Sequence, residues 1–423
     1  MTGNLATWII AALAVSGVIV RPWRVPEFAW AVAGAVALAA SGLLPWRDAI
    51  FAVGKGTDVY LFLAGMMLLS ELARREGLFD FLAAYAVNHA RGSASRLFLL
   101  TYAIGTVVTV FMSNDATAVV LTPAVYAAAR HARAHPLPYL FVCAFIANAA
   151  SFVLPISNPA NLVIFGAQMP PLRQWIALFA LPSILAIAAT YAVHRFLHRG
   201  ALTEAIHGEI ALPRLSRAGA MAGYGIVVVA IVLLVASFLG MSLGLPTFVA
   251  TSAVTACVLI DKRESPWAAL KGVSWGVLAL VAGLFVLVQG LEHSGAVHAL
   301  SAWLRSVSEL SPHGAIWDVG IVTAFACNLV NNLPLGLIAG SVMNSMPTSA
   351  AHANALLQGA ITIGIDLGPN LSVTGSLATI LWLSAIRREG EHVSAGQFLR
   401  LGMIVMPVAL LSAMAGLLLA AWL

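Results

Sequence analysis

Long apolar runs alternate with short polar joints along the whole chain, and most runs have the length that crosses a bilayer as a helix. Ten such runs lie near 5–20, 27–44, 56–73, 138–167, 174–195, 219–239, 243–260, 273–291, 354–386 and 396–422. Residues 80–91 and 296–308 mix apolar and polar positions, as amphipathic helices at an interface do. Two segments follow another pattern. Residues 95–130 read apolar, then Ser113-Asn114-Asp115, then apolar; residues 314–346 read apolar, then Asn331-Asn332, then apolar. Each predicts a helical hairpin with a polar tip. At about 1.5 Å of rise per residue each arm nearly crosses a membrane, so re-entrant and spanning hairpins both fit.

The pattern repeats at a constant shift. Adding 218 carries Gly54 onto Gly272, Gly65 onto Gly283, Gly77 onto Gly295 and Asn114 onto Asn332. The same shift carries Asn148 onto Asp366 and Ser157-Asn158 onto Gly375-Ser376. Each half then holds five spans and one hairpin. An odd number of spans turns the second copy upside down, the inverted-repeat plan of secondary transporters. The expected fold is an all-α polytopic membrane protein of two inverted repeats with helices broken at the midplane. The first repeat covers 1–200, a polar linker 201–218, and the second repeat 219–423.

Composition sharpens this picture. Hydrophobic residues make up 61% of the 423 and charged residues 9%, against about 25% charged in soluble domains. That excludes an ordinary soluble enzyme, a disordered chain and a nucleic-acid-binding domain. The net charge of +5 has a different use. With the loop after the first span on one side, that side collects 18 of the 22 basic residues, from Arg21 to Arg400, and the other only Arg47, Lys55, Arg173 and Arg305. The positive-inside rule makes the basic side cytoplasmic, with the 201–218 linker, and places both termini outside an inner (cell) membrane. Parity puts Arg214 inside and Ser349 outside. Arg21 is the first basic residue and follows the first apolar run, so that run reads as a retained helix. Cys143, Cys257 and Cys327 show no CxxC spacing and no metal-ligand grouping. No GxxxxGK[ST] occurs, and no cofactor is implied.

Candidate chemistry sits where polar groups interrupt the apolar runs. Ser113, Asn114, Ser157, Asn158, Asn331, Asn332, Gly375 and Ser376 form four interruptions paired by the shift. Pro159 lacks an amide hydrogen and biases Asn158 away from helix, and Gly375 tolerates unusual backbone angles. Unwound backbone is tolerated in a bilayer where it lines a cavity, and half-helix ends present partial charges there. One such pair could merely glue helices together; four related by one shift favour a substrate site. Asp115 and Asp366 adjoin the interruptions, with Asn148 at the position matching Asp366. A buried carboxylate needs a proton, cation or water, so these are candidates for proton or ion coupling; the competing role is to hydrogen-bond a broken helix end. Glu71 beside Arg74 and Arg75 reads as an ion-pair partner, and Gly336/Gly340 as a close-packing signal.

The same residues carry a family likeness. Ile365-Asp366-Leu367-Gly368-Pro369-Asn370, followed by Gly375 through Trp382, resembles the signature of the ArsB arsenite/antimonite efflux transporters of the ion transporter superfamily. Phe111 through Asp115 with Thr122-Pro123 is similar to that family's first hairpin tip, and Asn331-Asn332-Leu333-Pro334 to its second. The likeness runs from about residue 54 to 390. It implies a scaffold with a mobile transport domain, elevator-like alternating access, and export of trivalent arsenite or antimonite in exchange for protons. For some members it also implies a separate ATPase subunit. Asn370 stands where the family leads one to expect lysine and Asn148 where many members have aspartate, and Ser157-Asn158-Pro159-Ala160-Asn161 is nearer the wider superfamily's pattern. A Na+/H+ antiporter or a sodium-coupled organic anion transporter of the same superfamily is the alternative. A membrane-embedded enzyme ranks last, because no nucleophile, base and orienter group together.

Overall fold

The computed structural model describes residues 2–346 and 351–422; Ser349 lies outside them. The first half contains α1 (Thr2–Val20), α2 (Glu27–Ala40), α3 (Trp46–Lys55), α4 (Thr57–Arg75), α5 (Leu78–Ala90), α6 (Ala94–Phe111), α7 (Thr122–His131), α8 (Leu137–Ala149), α9 (Pro159–Phe165) and α10 (Leu172–Leu197). The second contains α11 (Arg217–Phe238), α12 (Gly244–Lys262), α13 (Pro266–Gly272), α14 (Gly276–His293), α15 (Ala296–Leu310), α16 (Pro312–Val330), α17 (Asn332–Asn344), α18 (Ala351–Leu367), α19 (Leu377–Arg388) and α20 (Ala395–Ala420). Among the described residues there is no strand, only one isolated bridge between Ser93 and Ala205.

The ten helices of one half recur in order in the other. Three pairs, α5/α15, α6/α16 and α9/α19, begin 218 residues apart to the residue. Gly77 and Gly295 open α5 and α15 with φ of 73° and 80°, a left-handed turn that a side chain would strain. Packing is reciprocal. Helix α4 lies on α12 and α14 on α2; α6 lies on α8 and α16 on α18; α10 and α20 lie on each other. Such exchange is what a pseudo-two-fold relation between halves produces.

Ion pairs join helix ends across the two halves: Lys55 with Glu292 at 3.8 Å, Arg75 with Glu264 at 3.1 Å and Lys262 with Glu76 at 2.9 Å. Lys262, hydrogen-bonded to Glu264, holds that carboxyl below its ordinary range. The linker is strapped over first-half loops and the end of α5: Ile206 N donates to Gly92 O (3.1 Å), His207 N to Ala132 O (2.8 Å) and Ile210 N to Asn88 Oδ1 (2.9 Å). Glu71 receives Arg74 through two hydrogen bonds of 2.7 and 2.8 Å.

Three sequence readings change. The run at 27–44 gives a helix that stops at Ala40, because Gly42 turns left-handed (φ 73°) before Pro45. Each half holds a further short helix, α3 or α13, that apolar-run counting does not separate. Helix α3 meets α4 at 47°. Its Ala49 and Ala52 are buried while Trp46, Ile50 and Phe51 are exposed, so it is amphipathic. Seven described helices are long and apolar enough to span, or eight if α3 and α4 count as one bent span. The runs at 138–167 and 354–386 fall below that length because each is broken, as the polar interruptions anticipate.

Candidate substrate-binding site

Each interruption has a local cause. After α6, Ser113 N reaches back to Val108 O (3.3 Å) and its Oγ accepts from Ala116 N (3.3 Å), ending one arm and starting the next. Residues Ala116–Leu121 then form a π-turn. Pro123 gives the reason: it has no N–H for Val119 O, and its ring crowds that carbonyl, so the helix widens there. Between α8 and α9 the chain passes through Pro155–Ser157. Asn158 is extended (φ −147°), and its Oδ1 caps α9 by accepting from Ala160 N at 3.0 Å. In the second half Asn331 adopts φ 74° between α16 and α17 and caps Leu333 N. Ser376, extended at φ −141°, caps α19 by accepting from Thr379 N at 3.1 Å.

Two tips and two breaks converge. A cavity of about 10 Å³, the size of one water, is lined by Asn114, Asp115, Asn158, Pro159, Asn332, Leu333, Leu377 and Ala378, with Leu63 of α4 and Val277 of α14. Repeat-related positions line it in pairs: Asn114 with Asn332, Asp115 with Leu333, Pro159 with Leu377. Asn114 Oδ1 and Asn332 Oδ1 are buried with no hydrogen-bond partner among the described residues. The Asp115 carboxylate makes no ion pair there. No Lys or Arg is among the lining residues. The arrangement therefore offers unpaired amide oxygens with the NH2 groups of the same two asparagines beside them, which suits a ligand whose hydroxyls both donate and accept.

The other candidate residues surround this cavity. Asp366 Oδ1 accepts from Asn158 Nδ2 at 2.6 Å, and its Oδ2 is a third orphan acceptor. Ser157 Oγ donates to Val110 O (2.9 Å) and Asn331 Nδ2 to Thr374 O (3.1 Å); these side chains fasten tip to break. Ser113, Gly375 and Ser376 shape backbone and do not line the cavity. Asn148 lies apart from it: its Nδ2 donates to Asn370 Oδ1 at 2.9 Å. The departures at Asn148 and Asn370 thus meet as an amide pair, at positions where the ArsB pattern leads one to expect an ion pair. Gly340 approaches Ile164 O and Val163 O so closely that a Cβ has no room, so the GxxxG packs α17 on α9.

Asn328 was not singled out from the sequence. Its Nδ2 donates to Gly368 O (3.0 Å), its Oδ1 accepts from Ser372 Oγ (2.7 Å) and its carbonyl from Thr374 Oγ1 (2.9 Å). The repeat hides it, because the matching residue is Val110. An asparagine in an apolar helix one turn before a polar tip was the available signal.

A family model described as citrate transporter (CitMHS) matches residues 8–364. The chain belongs to the CitMHS family. It is a multi-pass integral membrane transporter on the ion transporter superfamily fold. This CitMHS member is similar to the arsenical pump membrane protein of Yersinia enterocolitica, 28% identical over 356 residues, covering 80% of this chain and 81% of that one. The arsenical pump membrane protein of Escherichia coli strain K12 is 28% identical over 359 residues, with 80% and 81% covered. The putative arsenical pump membrane protein of Bacillus subtilis strain 168 is 24% identical over 419 residues, with 92% and 94% covered. Among solved structures, the Alcanivorax borkumensis YdaH transporter superposes with a TM-score of 0.62 at 16% identity, covering 89% of this chain and 87% of that one. That likeness speaks for the fold.

Proposed function

We propose that this transporter exports trivalent arsenite and antimonite from the cytoplasm as their uncharged hydroxides, in exchange for protons. The observation that carries the reading is the pair of orphan acceptors, Asn114 Oδ1 and Asn332 Oδ1, facing one cavity without a basic residue. At neutral pH As(OH)3 is uncharged and brings hydroxyl donors to such oxygens. Citrate, a trianion, would meet the Asp115 carboxylate and no counter-charge. Cys327, the nearby thiol, is buried and packed against Gly368, so the site lacks an accessible sulfur that would hold arsenic too tightly for release.

Asp115 and Asp366 are the proposed proton carriers, one in the cavity wall and one bonded to Asn158. A proton gradient then supplies the drive with no ATPase subunit required. The cavity is water-sized in the conformation described, so loading requires the two tips to separate. In our reading 1–200 and 219–423 are the inverted repeats of an inner-membrane protein. The 201–218 linker is cytoplasmic and both termini are outside. Uptake of arsenite into everted vesicles under an imposed pH gradient tests the function, with sodium present and absent. Accumulation without sodium is expected. Accumulation that needs sodium would move the reading to the cation-coupled alternative, since the same oxygens and Asp115 could hold Na+.

A further inference from the structure

Helix α18 carries a polar ribbon of which the proposed function uses only the inner end, Asp366. Asn354, Gln358, Thr362 and Asp366 recur every fourth residue along it, a spacing that winds slowly round one side of a helix. The inner end is Asp366, whose Oδ2 is buried and unpartnered. The outer end opens into a cleft of about 660 Å³ lined by Asn354 and Gln358 of α18, Phe165 of α9, Asn344 of α17 and Gln174 of α10. Thr362 lies between them, fully buried, its hydroxyl donating to Gln358 O at 2.8 Å and keeping an acceptor lone pair.

Helix α9 runs alongside the ribbon. At one end Asn158 is bonded to Asp366; at the other Gln358 Nε2 donates to Ile164 O at 3.5 Å. The α9–α18 seam thus joins a buried carboxylate oxygen to an open cleft over eight residues, about 12 Å. Charge parity places that cleft on the exterior side. We infer that this seam is the exterior access route for the proton that Asp366 carries, with Gln358 at its mouth and Thr362 as its midway hydroxyl. This rests on the proton-exchange reading above and adds the path to it.

The surroundings of Asp366 leave little else to exchange with. Cys327 of α16 is the titratable neighbour. Helices α9 and α17 carry no titratable side chain. On α8, Tyr139 is bonded to Ala94 O, and Cys143 is buried beside Thr122. Asp318 of α16 and Arg400 of α20 are exposed. Ser151 adjoins the carboxylate but donates to Asn148 O.

Two measurements test the route. The first follows, by infrared spectroscopy of purified protein at acid pH, the shift of the protonated Asp366 C=O band after transfer to D2O. The band is identified by its loss in Asp366→Asn. Thr362→Val keeps the shape and removes the hydroxyl, and should slow this exchange about tenfold or more, with Thr362→Ser restoring it. Exchange at the wild-type rate in both Thr362→Val and Gln358→Leu would overturn the route, whatever the substrate is. The second measures proton-driven arsenite accumulation against arsenite–arsenite exchange, which moves no net proton. Thr362→Val should slow the first and spare the second. If wild type accumulates no arsenite under a pH gradient, the functional reading fails, while the infrared result still decides the route.

Discussion

The two halves join hairpin to broken helix at the same place by opposite means. In the first, the side chain comes from the break: Ser157 Oγ donates to the carbonyl of Val110 on the hairpin arm at 2.9 Å. In the second, it comes from the hairpin: Asn328, the position matching Val110, donates to Gly368 O (3.0 Å) and receives Ser372 (2.7 Å). Gly375, the position matching Ser157, leaves the space that Asn328 Oδ1 fills. Buried polar backbone must be satisfied in both halves, and the repeat constrains the contact without constraining which partner supplies it. The tips differ as well. The second is clipped down, with Asn332 N donating to Gly375 O at 2.9 Å. The first carries the carboxylate of Asp115 and a π-turn. We read the first tip as the one that does ionic work and the second as the more tightly held.

The largest expected effect follows from that asymmetry. Asp115→Asn keeps the shape and removes the titration, so proton-driven arsenite accumulation in everted vesicles should be abolished while folded protein is retained. Leu333→Asn, its counterpart in the second tip, should reduce transport less. Equal loss from both would break the distinction between tips.

Next in size is the amide pair of Asn148 and Asn370. Asn370→Lys places a charge among buried groups with no acid opposite it, and should cost about 3–5 kcal/mol of stability. Adding Asn148→Asp restores a pair across the 2.9 Å contact and should recover most of that loss. Thermal unfolding in detergent measures both. A double variant as unstable as the single would mean that the two positions are not coupled.

Much of this architecture was legible in advance. The shift of 218, read from glycines and polar interruptions, is the spacing at which α5/α15, α6/α16 and α9/α19 begin. Helix breaks were readable because Pro159, Gly375 and the Asn and Ser caps act locally. Helices α3 and α13 were not, since their apolar faces are too narrow to stand out beside long spans. The cavity could be anticipated only as a meeting of interruptions. Which oxygens remain unpaired, Asn114 Oδ1 and Asn332 Oδ1 among them, depends on side-chain directions that no spacing encodes. Asn328 escaped because repeat logic looks for matched polar pairs, and here a polar residue matches a valine.

A smaller effect tests that mismatch in the second half. A Cβ on Gly375 would collide with Asn328 Oδ1 and with the Pro369 backbone. Gly375→Ser should therefore destabilise by about 2–3 kcal/mol through overpacking. Asn328→Val clears part of the space and leaves the new hydroxyl free to bond the backbone of residue 328, as Ser157 does at Val110. The pair of changes should be less destabilising than their sum.

The smallest effect is the mirror experiment in the first half. Ser157 Oγ also accepts from Leu154 N at 3.2 Å, so Ser157→Ala strips one partner from each of two buried backbone groups. The expected cost is about 1–2 kcal/mol, because partial relaxation can re-satisfy one of them. If the halves solve one problem in two ways, the second solution should transplant. Ser157→Gly removes the hydroxyl and makes the space that Gly375 makes, and Val110→Asn supplies the amide that Asn328 supplies. Each change alone should destabilise: the first leaves Val110 O unpaired, and the second buries an amide against Ser157. Together they should be coupled, with the double variant more stable than the sum of the singles by roughly 1 kcal/mol. Additive losses would mean that Asn328 depends on the 371–375 loop of its own half. The two joints would then resemble each other in position alone.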